Sequence, residues 1–185
     1  MRELIGRVAV VTHASAGIGL ALARRAAREG MCVVLSDPSE AWLRTEVHRL
    51  RRNGAEVVGV RADLEQPLDA TRLRQLSVEE FGGVHLLLNG GGPDPASLQN
   101  TLGAFVPLML GQAEDTHIVN VVSHDCLGAV LLTESLDHQL RVDGSRLAVS
   151  VLCLPEGDPD GEAALVECTF VGVAHRQLHI RSHPQ

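Results

Sequence analysis

No tyrosine and no lysine occur in these 185 residues, and aromatic side chains make up only 2 % of the chain. Any core must therefore be aliphatic, which the 45 % hydrophobic share can supply. All 16 basic residues are arginine, a bias that coding preference alone can produce. They are interspersed with 23 acidic residues at a formal net charge of −7, so no basic stripe invites a nucleic-acid backbone. No apolar run is long enough to span a bilayer, and the start, Met1 to Arg7, lacks the apolar stretch of a secretion signal. The four cysteines (Cys32, Cys126, Cys153, Cys168) are widely spaced and form no C-x-x-C pair. That argues against a disulfide framework or a zinc site and for reduced thiols. The expectation is a cytoplasmic protein that binds neither nucleic acid nor membrane.

What is present is an alternation of short β-branched runs with longer helical patterns, which signals βαβ units around a parallel sheet. Val8–Val11 reads as a first buried strand, Gly17–Glu29 as a helix, Cys32–Leu35 as a second strand ending at Asp37, and a helix starts near Ser39. Val57–Val60 and Val84–Leu88 make the third and fourth strands, with a helix between them. A helix from about Ser97 to Gln112, a fifth strand Ile118–Val122, a helix Val130–Arg141 and a sixth strand Leu147–Leu152 follow. A last helix near Glu162–Phe170 and a short strand Leu178–Ile180 close the chain. With no repeat and no linker, residues 1–185 read as one domain.

Between the first strand and the first helix stands Thr12-His13-Ala14-Ser15-Ala16-Gly17-Ile18-Gly19. In such a turn, main-chain N–H groups and the positive helix end can hold a pyrophosphate. Gly17 admits the phosphates and Gly19 lets the helix pack close to the sheet. Asp37, 20 residues after Gly17, would accept from a ribose 2′-OH and repel a 2′-phosphate, which favours NAD over NADP.

With these motifs the chain resembles the short-chain dehydrogenase/reductase family, whose turn T-G-x-x-x-G-I-G is matched except that His13 replaces the first glycine. Asp63-Leu64 resembles the family's adenine-pocket pair, and Asn89-Gly90 stands within its N-N-A-G segment. Asn100-Thr101-Leu102-Gly103 is similar to N-x-x-G, which makes Asn100 the counterpart of the tetrad asparagine. Ile118 to Ser123 is similar to I-V-N-x-S-S, which makes Ser123 the tetrad serine. The resemblance implies a single doubly wound parallel sheet, a Rossmann-type three-layer α/β/α fold in shortened form. It also implies a coenzyme site formed by Thr12, His13, Ser15, Gly17, Ile18, Gly19, Asp37, Asp63, Leu64, Asn89 and Gly90.

The departures are as informative. The family's Y-x-x-x-K, in which tyrosine relays the proton and lysine lowers its pKa, has no counterpart, because neither residue type is present. Few residues separate Gly92 from Asn100, and few separate Ser123 from Gly128. The region beyond Pro155-Glu156-Gly157 is abbreviated, so the crevice should be more open or closed by a partner. A histidine at position 13 is costly if the turn needs positive φ, and its ring could crowd a pyrophosphate.

Ser123, His124, Asp125 and Cys126 cluster at the end of the fifth strand, where ligands bind in open α/β sheets. His124 with a nearby carboxylate can serve as a general acid/base, although a solvated loop accounts for the same residues. Cys126 is the weaker nucleophile candidate, since most unpaired cysteines are buried and inert. His175, His179 and His183 would align only on a helix, and a strand reads better there, so no metal site is expected. Arg24, Arg25, Arg28, Arg49, Arg51 and Arg52 read as exposed helix faces. The expected catalytic set is Ser123, His124, Asn100 and Asp125, acting on a small molecule. The chemistry would be redox-neutral acid/base work, or NAD-dependent oxidoreduction with a non-standard proton donor. A non-catalytic subunit is the third reading, and a homodimer or a hetero-oligomer with a larger chain of the family is the expected assembly.

Overall fold

Strands flanked by helices on both faces need apolar side chains pointing both ways, and these strands have them. The structure, a computed structural model, describes residues 4–15, 17–90, 94–123, 127–154, 166, 167, 169 and 170. The elements are β1 (Val8–Thr12), α1 (Gly17–Arg28), β2 (Cys32–Asp37), α2 (Glu40–Arg52), β3 (Val57–Arg61), α3 (Pro67–Phe81), β4 (Leu86–Asn89), α4 (Pro95–Gly111), β5 (Thr116–Ser123), α5 (Leu127–Val142) and β6 (Leu147–Leu154).

All six strands are parallel, in the order β3-β2-β1-β4-β5-β6. The two-residue period of a strand sorts its side chains into two cores. Ala9, Val11, Val33, Leu35, Leu86, Leu88, Val119 and Val121 face α1, α2 and the segment holding Val166 and Phe170. Val8, Val10, Val34, Leu87, Ile118 and Val122 face α3, α4 and α5. This is the three-layer α/β/α Rossmann architecture read from the sequence. The chain winds outward from β1 to β3 and then crosses back to β4 on the other side of β1. That reversal opens a crevice beyond the carboxyl ends of β1 and β4, where such sheets bind ligands.

Several boundaries differ from the sequence reading for local reasons. β4 starts at Leu86 rather than Val84, because the Gln112 side chain takes over the Val84 backbone. Its Oε1 accepts the Val84 N–H and its Nε2 donates to the Val84 carbonyl, each at 2.9 Å. α4 starts at Pro95, two residues early, because Asp94 caps it by accepting from the Ala96 and Ser97 N–H groups, with proline at the first helical position. β5 and β6 pair from Thr116 with Leu147 through to Ser123 with Leu154, longer than their apolar runs. α5 begins at Leu127, not Val130. Helical backbone at residues 166, 167, 169 and 170 falls within the expected last helix, whereas the Leu178–Ile180 strand and the three late histidines lie outside the described residues.

Arg28, Arg49, Arg51 and Arg52 are exposed as read, whereas Arg24 and Arg25 are half-buried, a correction to their reading as exposed faces. Arg24 Nε donates to Glu46 Oε1 at 2.8 Å and Nη2 to Oε2 at 3.3 Å, and Glu46 is 4 % exposed. Arg25 holds Glu29 and Glu167 and lies over the Phe170 ring at 5.5 Å. Arg51 donates to the Val57 carbonyl at 2.9 Å. These guanidiniums fasten the helices to one another and to the sheet.

Candidate functional site

The site is a turn between β1 and α1, walled by the ends of β2, β4 and β5. His13 has φ +49° and Gly17, the first residue of α1, φ +52°. The histidine thus adopts the left-handed backbone that glycine takes without strain, at a cost on the order of 1–2 kcal/mol. The turn is held from below. Ala14 N–H donates to the Ser36 carbonyl at 3.2 Å and Ser15 N–H to Asp37 Oδ2 at 3.1 Å.

Two glycines make this geometry. A Cβ on Gly19 would stand 2.5 Å from the His13 carbonyl oxygen, and one on Gly90 would stand 2.8 Å from Gly19 Cα. The end of β4 therefore rests directly on the start of α1. No acidic residue in the first turn of α1 offsets the positive end of its dipole.

Asp37 is 4 % exposed, and its second oxygen, Oδ1, accepts the Ser39 N–H at 2.9 Å. A carboxylate offers about four lone-pair sites. Two backbone bonds therefore leave room for hydroxyl donors while fixing the carboxylate's orientation. Asp63 is exposed beyond β3; its N–H donates to Asp69 Oδ2 and its own carboxylate accepts the Glu65 N–H. Leu64 beside it is buried.

Beneath the turn runs a chain of buried polar side chains. Thr12 Oγ1 donates to Asn89 Oδ1 at 3.2 Å, Asn89 Nδ2 to Asn120 Oδ1 at 2.8 Å, and Asn120 Nδ2 to Thr133 Oγ1 at 2.9 Å. Thr133 Oγ1 then donates to the Ala129 carbonyl at 2.7 Å. Asn120 and Thr133 had been given no role by sequence reasoning. The available signal was an asparagine in the middle of the apolar run I-V-N-V-V, since a buried amide needs partners.

His13 Nδ1 lies 3.4 Å from Thr12 Oγ1. Burial pushes the His13 pKa below its ordinary 6.5, opposed by the carboxylates of Asp37, Asp94, Asp63 and Glu65. Asp94 is itself held below the usual carboxylate range, first by the Ser97 hydroxyl and then by backbone N–H bonds. Burial and Glu56 push the Cys32 thiol up to about 11, so it stays protonated at neutral pH.

Of the expected catalytic set, Ser123 ends β5, one strand over from Asn89. Asn100, on α4, donates through Nδ2 to the Leu64 and Glu65 carbonyls at 3.0 and 3.1 Å. Its amide hydrogens thus hold the loop that carries Asp63, and its Oδ1 is what remains for a ligand. His124, Asp125 and Cys126 lie outside the described residues. Among the described residues, no cluster of three or more His, Cys, Asp or Glu could hold a metal, and no helix is long and apolar enough to cross a membrane.

A parallel sheet in this order, with a glycine-bearing turn at its reversal point, defines a dinucleotide-fold protein. The short-chain dehydrogenase profile matches residues 7–102, slightly more than half of the chain. The chain belongs to that family. Over 151 residues it is 29 % identical to an uncharacterized oxidoreductase of Methylorubrum extorquens, covering 81 % of this chain and 56 % of the relative. Over 181 residues it is 30 % identical to 1-deoxy-11-beta-hydroxypentalenate dehydrogenase of Streptomyces exfoliatus, covering 80 % and 66 %. The chain thus spans between about half and two thirds of these two relatives. Among solved structures, a short-chain dehydrogenase/reductase from Burkholderia phymatum in complex with NAD is similar at 29 % identity and a TM-score of 0.83. That match covers 96 % of this chain and 89 % of the other. A metagenomic short-chain oxidoreductase in complex with NADP is similar at 25 % identity and a TM-score of 0.78, covering 92 % and 91 %.

Proposed function

We propose that this chain is an atypical, shortened short-chain dehydrogenase relative that keeps the family's coenzyme crevice and acts there on a small molecule by redox-neutral acid/base chemistry. Isomerisation, cyclisation and dehydration are the reaction types in question. The observation that carries the reading is a mismatch. At position 13 the β1–α1 turn takes the left-handed backbone natural to glycine although a histidine stands there, while the sequence has no tyrosine or lysine to relay a proton. NAD is the preferred occupant, supported by the buried Asp37 carboxylate at the end of β2 and by the NAD complex of the Burkholderia relative.

Gly17, Ile18 and Gly19 would present N–H groups to the pyrophosphate, Asp37 would accept from the adenosine ribose, and Asp63 with Leu64 would border the adenine. Asn89 and Gly90 would flank the nicotinamide end. A bound nicotinamide would supply a hydride donor or acceptor in the alternative reading, NAD-dependent oxidoreduction with a non-standard proton donor, and would take no net part in the redox-neutral reaction. Ser123 would polarise a substrate oxygen, His124 would move the proton with Asp125 beside it, and Asn100 Oδ1 would hold water or substrate.

Titration with NAD, NADH, NADP and NADPH tests the coenzyme half of the reading. Saturable NADH binding that is lost in Asp37→Ala supports it, and no binding of any of the four at millimolar concentration removes it. Alanine at Ser123 and His124 tests the chemical half, because unchanged turnover would rule both residues out.

A second reading is favoured by the surface of α5. Leu127 is 66 % exposed and Leu131, one turn on, 55 %, an apolar stripe on a helix beside the crevice. A non-catalytic subunit docked on a larger member of the family would cover it. Co-purification with such a chain, and a solution mass above that of a monomer, would support this reading over the enzymatic one.

A further inference from the structure

We propose that the groove between α1 and α2 is a second binding site, separate from the crevice, for a small organic anion that joins a phosphate or carboxylate group to an apolar body. Ala21, Arg24 and Arg28 lie on one face of α1, while Glu46, Arg49 and Leu50 lie on the facing side of α2. Ala21, Arg24, Arg28, Arg49 and Leu50 border a cavity of about 680 Å³, to which Val166 and Glu167 add another wall. That volume is typical of small-molecule sites.

The arginines are arranged for an anion. Glu46 is a charged residue buried on α2 between the buried Leu43 and Leu50, and both its oxygens are spent on Arg24 Nε and Nη2. The pair holds one guanidinium rigid at the groove and leaves Arg24 Nη1 uncommitted among the described residues. Arg28 has no protein partner among them, and Arg49 reaches only Glu46, at 3.7 Å. Glu167 is bound to Arg25. Three guanidiniums therefore line the groove with one carboxylate, Glu167, that is already committed to Arg25, in a chain whose formal net charge is −7.

Last-turn arginines also offset a helix dipole, which is the ordinary explanation for Arg28 and Arg49. It accounts neither for the buried Glu46 nor for the apolar wall of Ala21, Leu50 and Val166 beside the charges. Planar guanidinium forks match carboxylate and phosphate oxygens, and that wall suits a hydrocarbon or ring. At 1.5 Å per residue, Arg28 stands about 16 Å along α1 from Gly17, so one ligand group cannot reach both ends.

Phenyl phosphate and benzoate, titrated separately into the full chain by calorimetry, test the site. Arg28→Gln/Arg49→Gln removes two charges from exposed positions. Arg24 is left in place because its loss would strand Glu46. The expected result is saturable binding of at least one probe, weakened about tenfold in the double variant, which should still unfold cooperatively with at most a small drop in melting temperature from the lost dipole compensation. NADH should neither displace the probe nor bind differently to the variant, whether or not NADH binds at all. Equal probe binding by the variant, displacement by NADH, or no saturable binding of either probe at millimolar concentration overturns the proposal. Should the double variant melt early, Arg28→Gln alone carries the same comparison.

Discussion

Asn89 Nδ2 donates to Asn120 Oδ1 at 2.8 Å, strand to strand, with both residues out of contact with solvent. The bond is the middle link of the chain from Thr12 to Thr133, and it joins the floor of the crevice to α5. Each group in it has its partner inside the protein, so removing one member leaves others buried and unpaired. Asn120→Ala should therefore destabilise the fold by about 1–3 kcal/mol, the penalty for the stranded Asn89 amide, since the Thr133 hydroxyl keeps its bond to the Ala129 carbonyl. A midpoint shift in urea denaturation with an unchanged slope measures it.

Gly90 makes the sharper steric prediction. A methyl group there would meet Gly19 Cα at 2.8 Å and the Thr12 carbonyl at 3.1 Å, both backbone atoms with no free rotor to move aside. Gly90→Ala should cost about 1–3 kcal/mol, the usual range for overpacking, and should displace the β1–α1 turn. Thermal denaturation reads the first effect, and weaker binding of whichever dinucleotide the wild type takes up reads the second.

Asp37 serves two purposes that one substitution separates. Its carboxylate accepts the Ser15 and Ser39 N–H groups and, in the proposed complex, the ribose hydroxyl. Asp37→Asn keeps an acceptor oxygen but removes the charge that repels a 2′-phosphate. The ratio of NADPH to NADH dissociation constants should fall at least tenfold, about 1.4 kcal/mol. An unchanged ratio would mean that the charge plays no part in coenzyme choice.

Acid should weaken the fold through His13 and His85. Burial lowers both pKa values from 6.5, and the Arg7 charge adds to the lowering at His85. His85 Nδ1 accepts the Val8 N–H at 3.1 Å, which it can do only while unprotonated. A depressed folded-state pKa means that the unfolded chain binds more protons between that value and 6.5. Stability from these groups is complete above pH 6.5 and is lost as the pH falls toward the folded values. The melting temperature should drop from pH 7.5 to pH 5, and less steeply in His85→Gln, whose amide accepts the same bond without titrating.

How much of this was legible beforehand follows from the range of the forces involved. Val8–Val11 and Cys32–Leu35 are continuous apolar runs bounded by turn residues, so a buried parallel sheet was readable from composition and period alone. The glycines at 17 and 19 announced the turn, because a missing side chain is visible in any sequence. The start of β4 was not legible. Whether Val84 joins the strand depends on a glutamine 28 residues away, and nothing in its own neighbourhood says so. Asn100 illustrates the same limit at the site: its motif suggested a part in catalysis, while the fold commits its amide hydrogens to the carbonyls of Leu64 and Glu65.

The sequence by itself determined the layer architecture, the place of the crevice and the lack of a tyrosine–lysine relay, all of which depend on local pattern or on composition. Tertiary structure alone decided that His13 takes a glycine's backbone, that Asn120 and Thr133 complete a buried chain, and that Glu46 fixes Arg24 beside a second groove. The physical reason is that hydrogen bonds and ion pairs between distant residues depend on which strands and helices become neighbours. That adjacency is set by burying two apolar cores at once, and no short stretch of sequence contains it.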